Sequence, residues 1–193
     1  MSDRIKLYHG GPSVVRIPDL SMRREDIDFG RGFYLTNDFE RSAKWACRIV
    51  TSVVNEYELS LEGLKVHRFA PDVEWLDFVL ANRHLSSMTG VFADYSNCDV
   101  LVGPIADDKL FSLLELYEDG VVSADVAVEV MNCMNYGVQY AIKTEKAIQN
   151  LTHIGHVQIL GKERDEYKRQ FKEDAKEAGQ RTKTLLRERN QGR

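Results

Sequence analysis

The sequence predicts an α+β fold built on a split, mostly antiparallel β-sheet with flanking helices. Three observations lead there. Short alternating stretches are interspersed with stretches of helical periodicity, without the regular strand–helix–strand alternation of a parallel sheet. The most apolar stretch, Cys98–Ile105, has the content of a strand central in a sheet and stops at Pro104. The octapeptide Phe29-Gly30-Arg31-Gly32-Phe33-Tyr34-Leu35-Thr36 joins a flexible glycine turn to the aromatic and branched residues of a short buried strand. At 193 residues and 43% hydrophobic content the chain is long enough for one proper core.

Taken in order, Arg4–His9 reads as a strand that ends at Gly10-Gly11. Pro12 to Asp28 is polar, holds Pro12 and Pro18, and reads as a loop with a short strand at Val14-Val15; its last part, Arg23 to Asp28, is a charged, disordered-looking run. After the octapeptide, Asn37 caps a helix and Glu40 closes a capping box, with Phe39, Ala43, Ala46 and Val50 recurring at helical spacing to about Ile49. Val53–Leu59 and Leu64–Phe69 are strands separated by the turn at Glu62-Gly63. Asp72 caps a helix whose inward face is Val73, Leu76, Val79 and Leu80, and a loop with Gly90 follows.

Beyond Pro104, Asp107-Asp108 opens a helix that ends near Gly120. Ser123 caps another, with Val126, Val130, Met131 and Met134 as its buried stripe. Gln139–Ile142 is a strand, Thr144–Ile148 starts a short helix, and Val157–Leu160 adds a last strand. The pattern then changes to dense mixed charge. Residues 1–160 are expected to form the folded domain, and 161–193 a charged, mostly helical tail interrupted near Gly179.

The net charge of −4 hides an asymmetry: from Gly161 onward there are eleven Lys/Arg against seven Asp/Glu, whereas the first 160 residues carry 15 against 23. An acidic core argues against a nucleic-acid platform, and a basic tail argues mildly for an acidic partner or nucleic acid. Cys47, Cys98 and Cys133 share no metal-ligand spacing, so buried reduced thiols are expected and no metal site. There is no apolar run of transmembrane length and no signal-peptide pattern, which places the expected site of action in a cytoplasm, the protein's own or that of a cell into which it is delivered.

Three short pieces carry a resemblance: Leu7-Tyr8-His9-Gly10-Gly11, then Gly32-Phe33-Tyr34-Leu35-Thr36 before a helix with Ala43 and Ala46, then Val138-Gln139-Tyr140-Ala141-Ile142. In this order they resemble the signature of the ADP-ribosyltransferase superfamily, in its diphtheria-toxin and poly(ADP-ribose) polymerase-like branch with a His, Tyr, Glu triad. The chain is more closely similar to an uncharacterised bacterial domain family of that superfamily, in which Tyr-His-Gly, Asp-Phe-Gly-x-Gly-Phe-Tyr-Leu-Thr and Val-Gly-Pro-x-Ala-Asp-Asp recur. The resemblance spans roughly Leu7 to Leu151.

It implies the superfamily's split-sheet fold and a glycosyltransferase that uses NAD as substrate. Such an enzyme cleaves the nicotinamide–ribose bond through an oxocarbenium-like state and transfers ADP-ribose to a macromolecular acceptor: protein, DNA or RNA. Bacterial relatives of this type act as toxins, effectors or defence proteins, so an antitoxin or immunity partner is also expected. By resemblance, His9 holds a ribose hydroxyl of the adenosine half, Gly10 pairs through its backbone with the carboxamide, and Tyr34 stacks on the nicotinamide, with Tyr8 or Phe33 facing the core. Thr36 matches the hydroxyl residue after the tyrosine, and Gly32 and Phe33 belong to the same binding strand. Arg31 between the glycines meets either a pyrophosphate or an exposed carboxylate, and Asn82-Arg83 presents the same pair of alternatives.

The third motif departs from the pattern, since Gln139 stands where a glutamate is usual. A neutral amide orients a ribose 2′-hydroxyl but is no general base and supports a cation less than a carboxylate does. Single transfer is therefore expected over chain elongation. A non-catalytic module that binds NAD or ADP-ribose or serves only as an interaction surface, or an NAD glycohydrolase, stays open as the alternative. Asp107 and Asp108 are the candidates for the missing acid, with helix capping as their other reading.

Overall fold

The computed structural model describes residues 4–21, 27–83, 95–106, 108–133 and 137–191, without the side chains at 108–112, 178–179, 181–183, 185–186 and 188–191. In chain order the elements are β1 (Arg4–Gly11), β2 (Phe33–Thr36), α1 (Phe39–Ala46), β3 (Val53–Ser60), β4 (Val66–Arg68), α2 (Val73–Asn82) and β5 (Val100–Pro104). They continue with α3 (Asp108–Glu118), α4 (Ala124–Asn132), β6 (Val138–Ile142), α5 (Glu145–Gln149), β7 (Leu151–Gln158) and α6 (Gly161–Gln191).

The described strands form one mixed sheet in the order β4-β5-β6-β2-β1-β3-β7, with β4 and β5 parallel and every other neighbour pair antiparallel. This is an α+β architecture. Its two halves join at a narrow seam, because β1 and β2 are in register at one residue pair, Tyr8 and Thr36, while β1 and β3 pair over their whole length. The middle strand is β2. The apolar β5, expected at the centre, lies second from the edge and is buried throughout because helices cover one face and the β1/β2/β7 core the other.

Alternation along β5 and β6 sorts side chains to two cores. Leu101 and Ala141 pack with Trp75, Leu76, Leu113 and Leu114. Val100, Val102, Tyr140 and Ile142 pack on the opposite side with Leu7, Phe33, Leu35 and Leu59. A third cluster, Ala43, Ala46, Cys47, Val54 and Ile159, seats α1.

Several expected boundaries shift. Asp38, not Asn37, caps α1, with its carboxylate accepting from Arg41 N at 3.0 Å, and the helix ends at Ala46. Val14-Val15 forms no strand; Asn55 instead ties that loop through Val15 N at 2.8 Å. The strand Leu64–Phe69 shortens to β4, and Trp75 rather than Val73 completes the buried face of α2. The last strand begins at Leu151, not Val157, since it pairs with β3 along its length. Met134 and Gly90 lie outside the described residues.

The tail is one helix with no break at Gly179. It is anchored on α1 by Lys44 and Asp174 at 2.9 Å, and just past that helix by Arg48, whose guanidinium lies 4.3 Å from the Trp45 ring and 4.9 Å from that of Phe171. No helix among the described residues is long and apolar enough to cross a membrane.

Candidate functional site

A cleft of about 410 Å³ opens along the seam between β1 and β2. Register builds its floor: Tyr8 lies opposite Thr36, Thr36 opposite Gln139, and Gln139 opposite Gly103, so residues more than a hundred positions apart form a row across four strands. Tyr34, two residues before Thr36, shares its face. His9 and Gly10 border the seam, α1 supplies Arg41, Ser42 and Trp45, and α6 closes one side with Phe171, Asp174 and Ala175.

Six sequence-predicted residues thus meet at one cleft: His9, Gly10, Tyr34, Thr36 and Gln139, with Tyr8 beside them. Phe33 faces the core, fully buried under Tyr57, and Gly32 and Arg31 do not line the cleft; Arg31 is exposed. Asp107 lies outside the described residues, and Asp108 begins α3.

The His9 ring stands against Phe33 at a centroid distance of 4.4 Å, and its Nδ1 lies 2.8 Å from the Tyr34 carbonyl oxygen. A carbonyl only accepts, so Nδ1 carries the proton, and in the neutral ring Nε2 is the acceptor. Gly10 has a steric reason to be glycine apart from any ligand: a Cβ there would stand 2.2 Å from the Ser42 carbonyl oxygen, because α1 crosses directly over β1.

Tyr34 uses its hydroxyl twice. It accepts from Phe29 N at 2.9 Å and donates to the Gly30 carbonyl at 2.7 Å, bracing a turn in which Gly30 has φ of 66°. Burial, with the Asp28 carboxylate adding to it, pushes the phenol pKa well above the ordinary value, against the opposing Phe29 N–H and Arg83 guanidinium. From the other side Lys143 Nζ donates to the Phe29 carbonyl, and burial pulls the amine down to about 8.

The braced turn places Asp28, the acid that sequence reasoning missed. Asp28 is 6% exposed and lines the cleft. Its Oδ1 accepts from Arg83 Nε at 2.8 Å and from Nη2, and its Oδ2 from Ala106 N at 3.0 Å and Gln139 Nε2 at 2.7 Å. Gln139 Nε2 also donates to the Pro104 carbonyl at 2.9 Å. Arg83 thus forms a part-buried ion pair with Asp28 and itself lines the cleft. The signal for Asp28 was present: it begins the Asp-Phe-Gly-x-Gly-Phe-Tyr-Leu-Thr pattern, immediately before the octapeptide, but closes a charged run that reads as loop.

Chemically, the cleft offers an aromatic face at Tyr34, an amide at Gln139, a hydroxyl at Thr36, and the cations Arg41 and Lys44 at its rim. The Ser42 Oγ is buried and has no hydrogen-bond partner among the described residues. The same residues include no group of three or more His, Cys, Asp or Glu that would hold a metal. No curated protein and no solved structure matches the chain. Residues 5–153, from β1 into β7 and so without α6, match the model of a family described as "Protein of unknown function (DUF3990)", and the chain belongs to that family.

Proposed function

We propose that the protein is an NAD-dependent mono-ADP-ribosyltransferase acting on a macromolecular acceptor. The observation that carries this reading is the convergence of His9, Gly10, Tyr34, Thr36 and Gln139, from three separated motifs, on one cleft of about 410 Å³. That volume lies within the roughly 300–1,000 Å³ usual for small-molecule sites. The resemblance in those motifs supports an ADP-ribosyltransferase-like split-sheet fold, and the narrow β1/β2 seam agrees with it.

In this reading Tyr34 presents its ring to the nicotinamide, with the hydroxyl held by the turn. His9 and Thr36 offer hydrogen bonds to ribose hydroxyls, and Gln139 orients the ribose whose anomeric carbon becomes electron-poor as nicotinamide departs. Gln139 takes up no proton, so the acceptor arrives already nucleophilic or is deprotonated by another group at the cleft, where Asp38, Glu40 and Asp174 stand.

The neutral Gln139 favours one rival, a module that binds NAD or ADP-ribose without turnover; an NAD glycohydrolase would use the same site with water as acceptor. Incubating the protein and its Tyr34→Ala variant with labelled NAD, alone and with cell lysate, tests the reading. Nicotinamide release with label on macromolecules, lost in a variant that still melts cooperatively, is the expected outcome. Release without transfer means a glycohydrolase, binding by calorimetry without release means a binding module, and no binding refutes all three.

A further inference from the structure

The Gln139 amide has one orientation available. Both neighbours of its Nε2, Asp28 Oδ2 at 2.7 Å and the Pro104 carbonyl at 2.9 Å, are pure acceptors, so a flipped amide would set oxygen against oxygen twice. With both Nε2 protons engaged, the remaining hydrogen-bonding atom is Oε1, which accepts no hydrogen bond among the described residues while Gln139 lines the cleft. Asp28 is held in turn from three directions, by the Arg83 guanidinium, by Ala106 N–H, and by the turn that the Tyr34 hydroxyl and Lys143 clasp.

We infer that Asp28 is a positioning residue that locks the Gln139 amide with its carbonyl toward the cleft, making position 139 a dedicated acceptor for a ligand hydroxyl. A carboxylate at position 139 would accept equally well from a hydroxyl. The buried acid stands instead at Asp28, hydrogen-bonded to Gln139, where it pairs with Arg83 and acts by orienting the amide. The identity of the hydroxyl, the 2′-OH of the nicotinamide ribose, rests on the transferase reading above; the orientation of the amide does not.

The experiment compares NAD with its analogue lacking that 2′-hydroxyl, by calorimetric titration of the full chain and of Asp28→Asn. The parent should prefer NAD by about three- to tenfold, the range of one hydrogen bond. In D28N, whose side-chain amide can set its donor against the Ala106 and Gln139 N–H groups where the carboxylate accepted from both, the preference should shrink toward one even if both affinities change. A structural role alone would weaken both ligands together and keep the ratio; an unchanged ratio overturns the inference. Exchange of the Gln139 side-chain amide protons in the unliganded parent requires neither the variant nor NAD. Both should exchange more slowly than those of exposed Asn and Gln, and exchange as fast as theirs overturns the inference on its own. If the parent binds no NAD, the transferase reading falls and the exchange measurement alone judges Asp28.

Discussion

Placing glutamate at position 139 is the change that the resemblance to the ADP-ribosyltransferase signature suggests, and the structure predicts that it harms the protein. In Gln139→Glu, an oxygen replaces Nε2 between the Asp28 carboxylate and the Pro104 carbonyl. When ionised, the introduced carboxylate forfeits a charge-assisted hydrogen bond of about 1.5–3 kcal/mol and a neutral one of about 0.5–1.5 kcal/mol, and adds like-charge repulsion in a site 6% exposed. Protonating it at pH 7 from an ordinary pKa of about 4.3 costs about 3.7 kcal/mol and recovers one of the two bonds. Either route gives a deficit of about 3–5 kcal/mol, which for a chain of this size lowers Tm by about 6–20 °C.

The sign with pH follows from the raised folded pKa of the introduced carboxyl. Its protonated form is favoured in the fold, so the variant comes nearest the parent below about pH 4.3 and falls behind as pH rises toward the folded pKa. Thermal melts of parent and variant at pH 4.5, 5.5, 6.5 and 7.5 measure the deficit. Adding Asp28→Asn should recover part of it, because the amide placed at position 28 returns a donor opposite the new carboxylate. A Q139E protein that melts within about 2 °C of the parent at pH 7, or whose deficit is flat with pH, would refute the orientation of this network.

Four further outcomes are expected. Gly10→Ala should lose about 1–3 kcal/mol in urea denaturation, because its Cβ enters the space of the Ser42 carbonyl at 2.2 Å and α1 must shift. Tyr34→Phe removes both hydrogen bonds of the hydroxyl to the 29–30 turn and should cost about 1–3 kcal/mol, with faster amide exchange at Phe29. Lys143, held down to about 8, takes up its proton more readily unfolded than folded, so stability should rise between pH 8 and 9.5; Lys143→Met should flatten that rise. The window ends there because Tyr34, Tyr95 and Tyr117, all raised, draw stability down above about pH 10. Phe171→Ala should loosen α6 without unfolding the sheet, read as faster hydrogen exchange confined to that helix, since the Arg48 contact and the wall of the cleft both pass through this ring.

Sequence alone determined the elements whose signals are local. The strands around Leu7, Val53, Val100 and Tyr140 announce themselves by alternation and branched residues, and Asp72 and Thr144 cap the helices that follow them because a short polar side chain reaches an N–H three residues on. Three motifs in order also named His9, Tyr34 and Gln139 as residues of one site. Tertiary structure decided how that site is wired. Asp28 ends a charged run and reads as loop, yet pairing Thr36 with Gln139 and Gly103 with Gln139 brings β6 and the end of β5 to it across a hundred residues. Asp107 and Asp108 draw attention as acids because they follow the apolar strand β5, with helix capping as their other reading; Asp107 and the Asp108 side chain lie outside the described residues. The tail, dense in charge, reads as solvated; that Phe171 and Asp174 reach the cleft depends on α1 presenting Lys44 and Trp45 to them, with Arg48 just beyond its end. Such contacts are set by register and packing between distant segments, which one-dimensional periodicity does not encode.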